Sequence, residues 1–278
     1  MPSPSASVPL RLEYRNVTMR FADRSGSGGS GALTAVRSVS FAVRDGEVVS
    51  LIGPSGCGKS TLLNIGSGLM APSEGAALVD GAPVAGPNAH VAFMLQKDLL
   101  LPWRTVAQNV MFGVEIQGVP AVERRQRAAN LLEQFNLAEF SDAYPHQLSG
   151  GMRQRVALAR TLAVDPHVLL LDEPFSAVAA QTRMSLQRDL AQTLARAQKT
   201  ALLITHDLFE AVTLSDRVLV MSRRPGVIID EIAIDVPGRD DPIGRRADPR
   251  VAGYVARLMD RLDLAHAPRE PQPAAGSA

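Results

Sequence analysis

A single cysteine, Cys57, only three lysines (Lys59, Lys97 and Lys199) and an aromatic content of 4% are the clearest scarcities in this chain of 278 residues. One cysteine excludes an intrachain disulfide and any zinc cluster built on several thiolates. Charge of one sign is missing too. Twenty-nine Lys and Arg against 28 Asp and Glu leave a formal +1, whereas binding DNA or RNA mainly by neutralising phosphates demands a strong basic excess. No apolar run approaches the ~18 residues of a membrane span. The Pro/Ser-rich start, residues 1–10, lacks the apolar segment of a signal peptide. These absences predict a soluble, cytoplasmic protein with no nucleic-acid partner. What is present is ordinary globular composition, 46% hydrophobic and 21% charged, which rules out wholesale disorder.

Residues 1–10 read as a loose tail and 266–278, rich in Pro and Ala, as a second flexible one. The spacing over 12–19 predicts a half-buried strand, and SGSGGSG at 25–31 a flexible insertion. Val39, Phe41 and Val43 alternate with small or polar residues ahead of Asp45-Gly46, which predicts a hairpin with the strand at 47–52. An apolar helix is expected over 60–70, a second hairpin at Asp80-Gly81 and a buried strand over 91–95. The pattern turns helical over 105–137, and again from Ser149, a good N-cap, to 163. Strands are expected at 168–171, 201–205, 218–221 and 227–234, with a helix at 181–197. Strands alternating with helices give an α/β fold, a mainly parallel sheet flanked by helices with an N-terminal antiparallel portion. In this reading 11–235 form the main domain, 97–162 an inserted helical subdomain and 236–265 a C-terminal extension.

Two motifs carry chemistry. Gly53-Pro54-Ser55-Gly56-Cys57-Gly58-Lys59-Ser60 fits G-x-x-x-x-G-K-[ST], between an apolar strand and an apolar helix that continues through Thr61. Its glycines let backbone N–H groups turn inward around a phosphate, and the helix start adds partial positive charge. Lys59 then reaches the β- and γ-phosphates of a nucleotide and Ser60 ligates Mg²⁺. The second motif ends an apolar strand in Asp172-Glu173. Paired carboxylates there are costly unless cations compensate. A Mg²⁺–phosphate complex and Lys59 do so if this strand lies beside the first, with Asp172 helping to hold Mg²⁺ and Glu173 polarising water. Together the motifs indicate a P-loop NTPase.

Leu148-Ser149-Gly150-Gly151-Met152 narrows the class. It resembles the LSGGQ signature of ATP-binding-cassette (ABC) ATPases and sits between the P-loop and the Asp-Glu strand, as in that family. Gln96 is similar to the family's Q-loop glutamine and His206 to its switch histidine. Phe21 falls where an adenine-stacking aromatic lies, a core phenylalanine being the alternative. The resemblance spans about residues 11–235. It implies a head-to-tail homodimer in the ATP-bound state, in which Ser149, Gly150 and Gly151 of one copy meet the nucleotide on the other's P-loop. It also implies ATP and Mg²⁺ as cofactors, with Lys59, Ser60, Gln96, Asp172, Glu173 and His206 acting in cis. Two departures stand out: Met152 replaces the signature glutamine, and Ala179 replaces the aspartate of Ser-Ala-Leu-Asp. From the second we expect Ala179→Asp to raise turnover or its cooperativity.

Leu99, Leu100, Leu101, Pro102 and Trp103 form an apolar patch just after Gln96, which either receives a short helix from a partner or closes over the chain's own core. The LLPWRTV phrase looks like the nitrate/sulfonate/taurine branch of bacterial import ATPases. That resemblance implies separate membrane permease subunits, a periplasmic or extracellular solute-binding protein and a position on the cytoplasmic face of the membrane. The arginines of 237–262 alternate with Asp240, Asp241 and Asp248 and read as a solvated surface. The alternatives are a soluble, non-transport ABC ATPase and a non-hydrolysing regulatory subunit.

Overall fold

The computed structural model describes residues 8–22, 32–176 and 178–266. The insertion expected at 25–31, nearly all of the two tails and Ala177 lie outside the described residues.

Two sheets organise the chain. The long strands β1 (Leu10–Ala22) and β2 (Ala32–Arg44) pair antiparallel. β3 (Val48–Ile52) follows and leads into helix α1 (Lys59–Gly66), then β4 (Glu74–Val79), β5 (Ala82–Pro83) and β6 (Val91–Met94). Helices α2 (Val106–Ile116), α3 (Ala121–Gln134) and α4 (Gly150–Ala163) precede β7 (Val168–Asp172). Helix α5 (Ala180–Arg196), β8 (Thr200–Ile204), α6 (Leu208–Leu214), β9 (Arg217–Met221) and β10 (Ile228–Ala233) follow, and α7 (Pro242–Arg246) and α8 (Pro249–His266) close the chain. The antiparallel sheet has the order β2-β1-β4-β5 and the other β10-β9-β3-β8-β7-β6, parallel except for β10.

Every residue of β3 and β8 is buried, as expected of strands covered on both faces. Strand period does the sorting on β7. Val168 and Leu170 face one apolar cluster, shared with the antiparallel sheet and α1, while Leu169 and Leu171 face another, shared with α2–α5. A third cluster joins β9 and β10 to α6 and α8 through Val218, Val220, Ala211 and Leu258.

Three expectations need correction. Asp45-Gly46 is a turn, with Glu47 N donating to Arg44 O at 3.0 Å, but it closes no hairpin: β2 pairs with β1, while β3 pairs with β8 and β9. A two-residue turn between strands that part into different layers cannot carry ladder bonds. The apolar helix stops at Gly66, short of residue 70. Gly68 turns the chain out of the helix with φ +78, its N–H donating to Ile65 O (3.1 Å), while Gly66 leaves room for the Tyr14 hydroxyl, which donates to Leu62 O (2.8 Å). Nor is the C-terminal extension simply a solvated surface. Arg245 is 4% exposed and its Nη1 donates to Thr213 O (3.1 Å) and Ser215 O (3.0 Å) at the end of α6. Arg239 pairs with Asp216 and donates to Gly46 O. The turn at Asp80-Gly81 does join a hairpin, β4 to β5, with positive φ at both residues as a type I′ geometry requires.

Candidate functional site

β3, β8, β7 and β6 run parallel as neighbours, so the segments leaving their carboxyl ends gather at one edge of the sheet, where α/β proteins bind ligands. The glycine-rich loop leaves β3, His206 follows β8, Asp172 ends β7 and Gln96 follows β6. β8 stands between β3 and β7, so the Asp-Glu strand is not beside the P-loop strand as expected. The acidic pair still reaches the loop: Glu173 lines the same cleft as Lys59 and Ser60, and the Ser60 hydroxyl and Lys59 charge act on the Asp172 carboxyl.

The loop folds around its own lysine. Lys59 Nζ donates to Gly53 O (2.8 Å) and Pro54 O (3.0 Å). Gly58 has φ +107, and a side chain there would strike Val36 Cγ1 at 2.4 Å, so this position admits glycine alone. Helix α1 starts with no side-chain cap and no acidic residue in its first turn, which leaves its N–H groups and partial positive charge for an anion. A cleft of about 260 Å³ opens over it, lined by Ser55, Gly56, Gly58, Lys59, Ser60, Thr61, Glu173 and Phe21, together with Leu33, Ala35, Ile204 and Arg224. Cys57 faces the core at 1% exposure. Burial pushes its thiol up despite the nearby Lys59 charge, which makes it unreactive.

Glu173 is held from several sides. Its φ is +46, a strained backbone for a non-glycine residue. Its N–H donates to Ile204 O (3.0 Å), and its Oε2 accepts from Gln96 Nε2 (3.1 Å) and lies 3.3 Å from His206 Nδ1. Gln96 also donates to Ser176 Oγ (3.3 Å). Burial raises the Asp172 carboxyl above the ordinary carboxylate range; the Glu173 charge adds to that, while the Ser60 hydroxyl and Lys59 oppose it. A raised, half-buried carboxylate beside a hydroxyl is a pair of hard oxygen donors in want of a cation, which suits Mg²⁺.

The signature residues are not in this cleft. Ser149 caps α4, its Oγ accepting from Met152 N at 3.3 Å, and Gly150 lines a separate cleft with Gln96, Leu99 and Arg153. A side chain at Gly151 would meet Thr182 Cγ2 at 2.4 Å. Met152 packs against the helical core cluster. The segment after Gln96 is braced by Asn109, whose Nδ2 donates to Leu101 O, Arg104 O and Thr105 O, and by Arg160, which donates to Asp98 O and Leu99 O. Of the apolar patch there, Leu100 is folded into the core at 8% exposure, while Leu99 (53%) and Trp103 (71%) stand out in solvent and Pro102 is exposed.

Arg224 was not legible in the sequence. It lines the first cleft and donates to Gly56 O (3.1 and 2.9 Å), yet it stands 168 residues away with no local motif. Ala179 occupies the N-cap of α5 with no side-chain cap bond.

Comparison with known proteins agrees with this geometry. Residues 36–176 match the family model described as ABC transporter. The nitrate import ATP-binding protein NrtD of Synechocystis sp. is 45% identical over 214 residues, covering 77% of this chain and 80% of that protein. The taurine import ATP-binding protein TauB of Yersinia pestis is 42% identical over 240 residues, covering 85% and 93%. A dimeric ATP-binding cassette solved in a post-hydrolysis state with ADP and Pi superposes with a TM-score of 0.70 at 30% identity, over 80% of this chain and 98% of that one. The chain belongs to the ABC transporter family as one of its ATP-binding proteins, and it is an ATPase.

Proposed function

We propose that this ATPase is the nucleotide-binding subunit of an importer for a small solute of the nitrate/sulfonate/taurine class, working as a homodimer beneath separate membrane permease subunits. One observation carries the reading: the P-loop cleft gathers Lys59, Ser60 and Glu173 while Gly150 of the signature lines a different cleft. A site built in this way is completed by a second copy. The nitrate and taurine import functions of two relatives support the solute class, and the dimeric cassette bound to ADP and Pi supports the assembly.

In this proposal Phe21 stacks on adenine, and the N–H groups of residues 53–60 cradle the phosphates with Lys59 on the β- and γ-groups. Ser60, Asp172 and Gln96 hold Mg²⁺, which neutralises charge on the phosphate oxygens when bound. Glu173, positioned by Gln96 and His206, orients the attacking water and takes its proton, and His206 steadies the γ-phosphate. Ser149, Gly150 and Gly151 offer the bare start of α4 to the partner copy's nucleotide. No helix among the described residues is long and apolar enough to cross a membrane, so attachment is proposed as peripheral, on the cytoplasmic face through permease subunits. Exposed Leu99, Pro102 and Trp103 are the proposed contact, with a solute-binding protein engaged indirectly.

The test is Glu173→Gln with Mg²⁺ and ATP, read by light scattering. We expect a stable dimer that wild type forms only transiently. A variant that stays monomeric and hydrolyses ATP at the wild-type rate overturns the assignment.

A further inference from the structure

At the opposite end of the parallel sheet three side chains from distant parts of the chain converge. Asp80 lies in the β4–β5 turn, His90 just before β6 and His167 just before β7. Asp80 Oδ2 is 2.9 Å from His90 Nδ1 and 2.7 Å from His167 Nδ1, and the two Nδ1 atoms are 3.0 Å apart. All three potential ligand atoms thus surround one point.

Each is fixed by backbone. Asp80 N donates to Arg11 O (3.0 Å), and both His167 N and Val168 N donate to His90 O (2.9 and 3.0 Å). His90 N donates to Asn88 Oδ1 (3.0 Å). The carboxylate divides its labour: Oδ1 accepts from Arg11 Nη1 (2.8 Å), which leaves Oδ2 to the imidazoles. Arg11 in turn spends its Nε on Asp45 Oδ1 (2.7 Å), so those two charges cancel and the cluster keeps the negative charge of Asp80. Burial works to raise the Asp80 carboxyl, but hydrogen bonds from Arg11, His167 and His90 outweigh it and bring it down to about 2.

Hydrogen bonding alone explains this arrangement poorly: with both Nδ1 atoms protonated two N–H groups crowd together 3.0 Å apart, and with only one protonated the other's lone pair faces the carboxylate oxygen. A metal ion removes the conflict by taking all three lone pairs, with each ring proton moved to Nε2. Zinc bonded at about 2.0–2.1 Å sets tetrahedral ligands about 3.3 Å apart, so the cluster has to open by only a few tenths of an ångström. Side-chain exposures of 53% for His90 and 45% for His167 give an ion entry and leave room for water in the remaining position.

We propose that Asp80, His90 and His167 bind a divalent transition-metal ion of the borderline class, Zn²⁺ foremost, across the seam between the two sheets. Two imidazoles and one carboxylate suit such ions. The bound ion staples the β4–β5 turn of the antiparallel sheet to the starts of β6 and β7, at the end of the strands away from the nucleotide cleft. This inference does not depend on the solute or on the importer reading.

The experiment titrates ZnCl₂ into tag-free, EDTA-treated full-length protein by calorimetry, with Co²⁺ absorption as a second readout. Wild type is expected to bind one equivalent and to gain thermal stability on binding, since the ion binds the folded form selectively. His90→Ala and His167→Ala should each weaken binding at least about tenfold, with an unfolding temperature in EDTA lowered by no more than a few degrees, from the lost hydrogen bond to Asp80. His206→Ala should bind as wild type does. Absence of binding and of a Co²⁺ spectrum in wild type, undiminished affinity in both His90→Ala and His167→Ala, or loss of binding in His206→Ala each overturns the proposal; the last result moves the ion to the nucleotide cleft.

Discussion

Where β7 and β8 end, Glu173, next to Asp172, meets His206; where β6 and β7 begin, Asp80 meets His90 and His167. The ingredients are alike and the electrostatics opposite. Asp172 is half-buried beside a second carboxylate, and burial raises its pKa. Asp80 is hydrogen-bonded by an arginine and two imidazoles that pull it down to about 2. A carboxylate left short of positive charge suits a cation that arrives with a ligand, as proposed for the nucleotide cleft. Asp80 is instead held by fixed protein donors, an arginine shared with Asp45 and two imidazoles, at the seam between the sheets. The difference lies in what packs around each residue, since Asp172 and Asp80 are the same residue type on neighbouring layers.

The largest effect expected is at the strained end. With Glu173 proposed to orient the attacking water, Glu173→Gln should lower kcat by about 10²–10⁴-fold, the usual worth of a positioned base, as measured by phosphate release with ATP in excess. An unchanged kcat would break the contrast by making Glu173 as structural as Asp80.

Isosteric neutralisation sharpens the contrast because its sign should differ between the ends. A carboxyl whose folded pKa is lowered stabilises above its ordinary value of 3.8 and loses that contribution as pH falls toward about 2. Asp80→Asn should therefore cost about 1 kcal/mol at neutral pH, lowering Tm by about 2–4 °C, with the deficit shrinking below about pH 4. Asp172 has the opposite sign. Its raised pKa opposes folding once pH exceeds 3.8, so Asp172→Asn should raise the nucleotide-free Tm at neutral pH and change nothing in acid. Melting curves of both variants at neutral and acid pH decide it; shifts of the same sign would remove the distinction.

Ala179 tests the nucleotide end more gently. An aspartate at this N-cap can accept from the free N–H groups of α5, so Ala179→Asp should add about 1 kcal/mol, seen as a denaturation midpoint at higher urea. On the family resemblance it should also raise turnover or its cooperativity, a separate readout in steady-state kinetics. Smallest of all, Trp103→Ala should shift stability by less than about 0.5 kcal/mol, because the ring is 71% exposed. Loss of permease co-purification in that variant would support the proposed contact, and full retention would remove Trp103 from it.

Much of the nucleotide cleft could be read in advance because its pieces are local. A P-loop is eight consecutive residues, Asp172-Glu173 terminates an uninterrupted apolar strand, and Ser149 announces a helix. β3 was placed at the right residues but paired with the wrong strand. The signal lay in its composition, Val-Val-Ser-Leu-Ile with no alternation, which marks a strand buried on both faces, unlike the alternating β2. Arg245 misled for the reverse reason, since alternation with aspartates is the pattern of a solvated face, yet two carbonyls at the end of α6 draw it inside.

By itself the order of residues determined the strand and helix segments and the phosphate loop, because each depends on periodicity or on neighbours within a few positions; the family was read from the resemblance of Leu148-Ser149-Gly150-Gly151-Met152 to the ABC signature. Only the tertiary structure decided that β8 separates the P-loop strand from the acidic strand, that the signature helix faces a different cleft, that Leu100 turns inward while Trp103 does not, and that Asp80, His90 and His167 meet. Those outcomes depend on which strands pair and which layers stack, a competition among long-range contacts that no short stretch of sequence encodes.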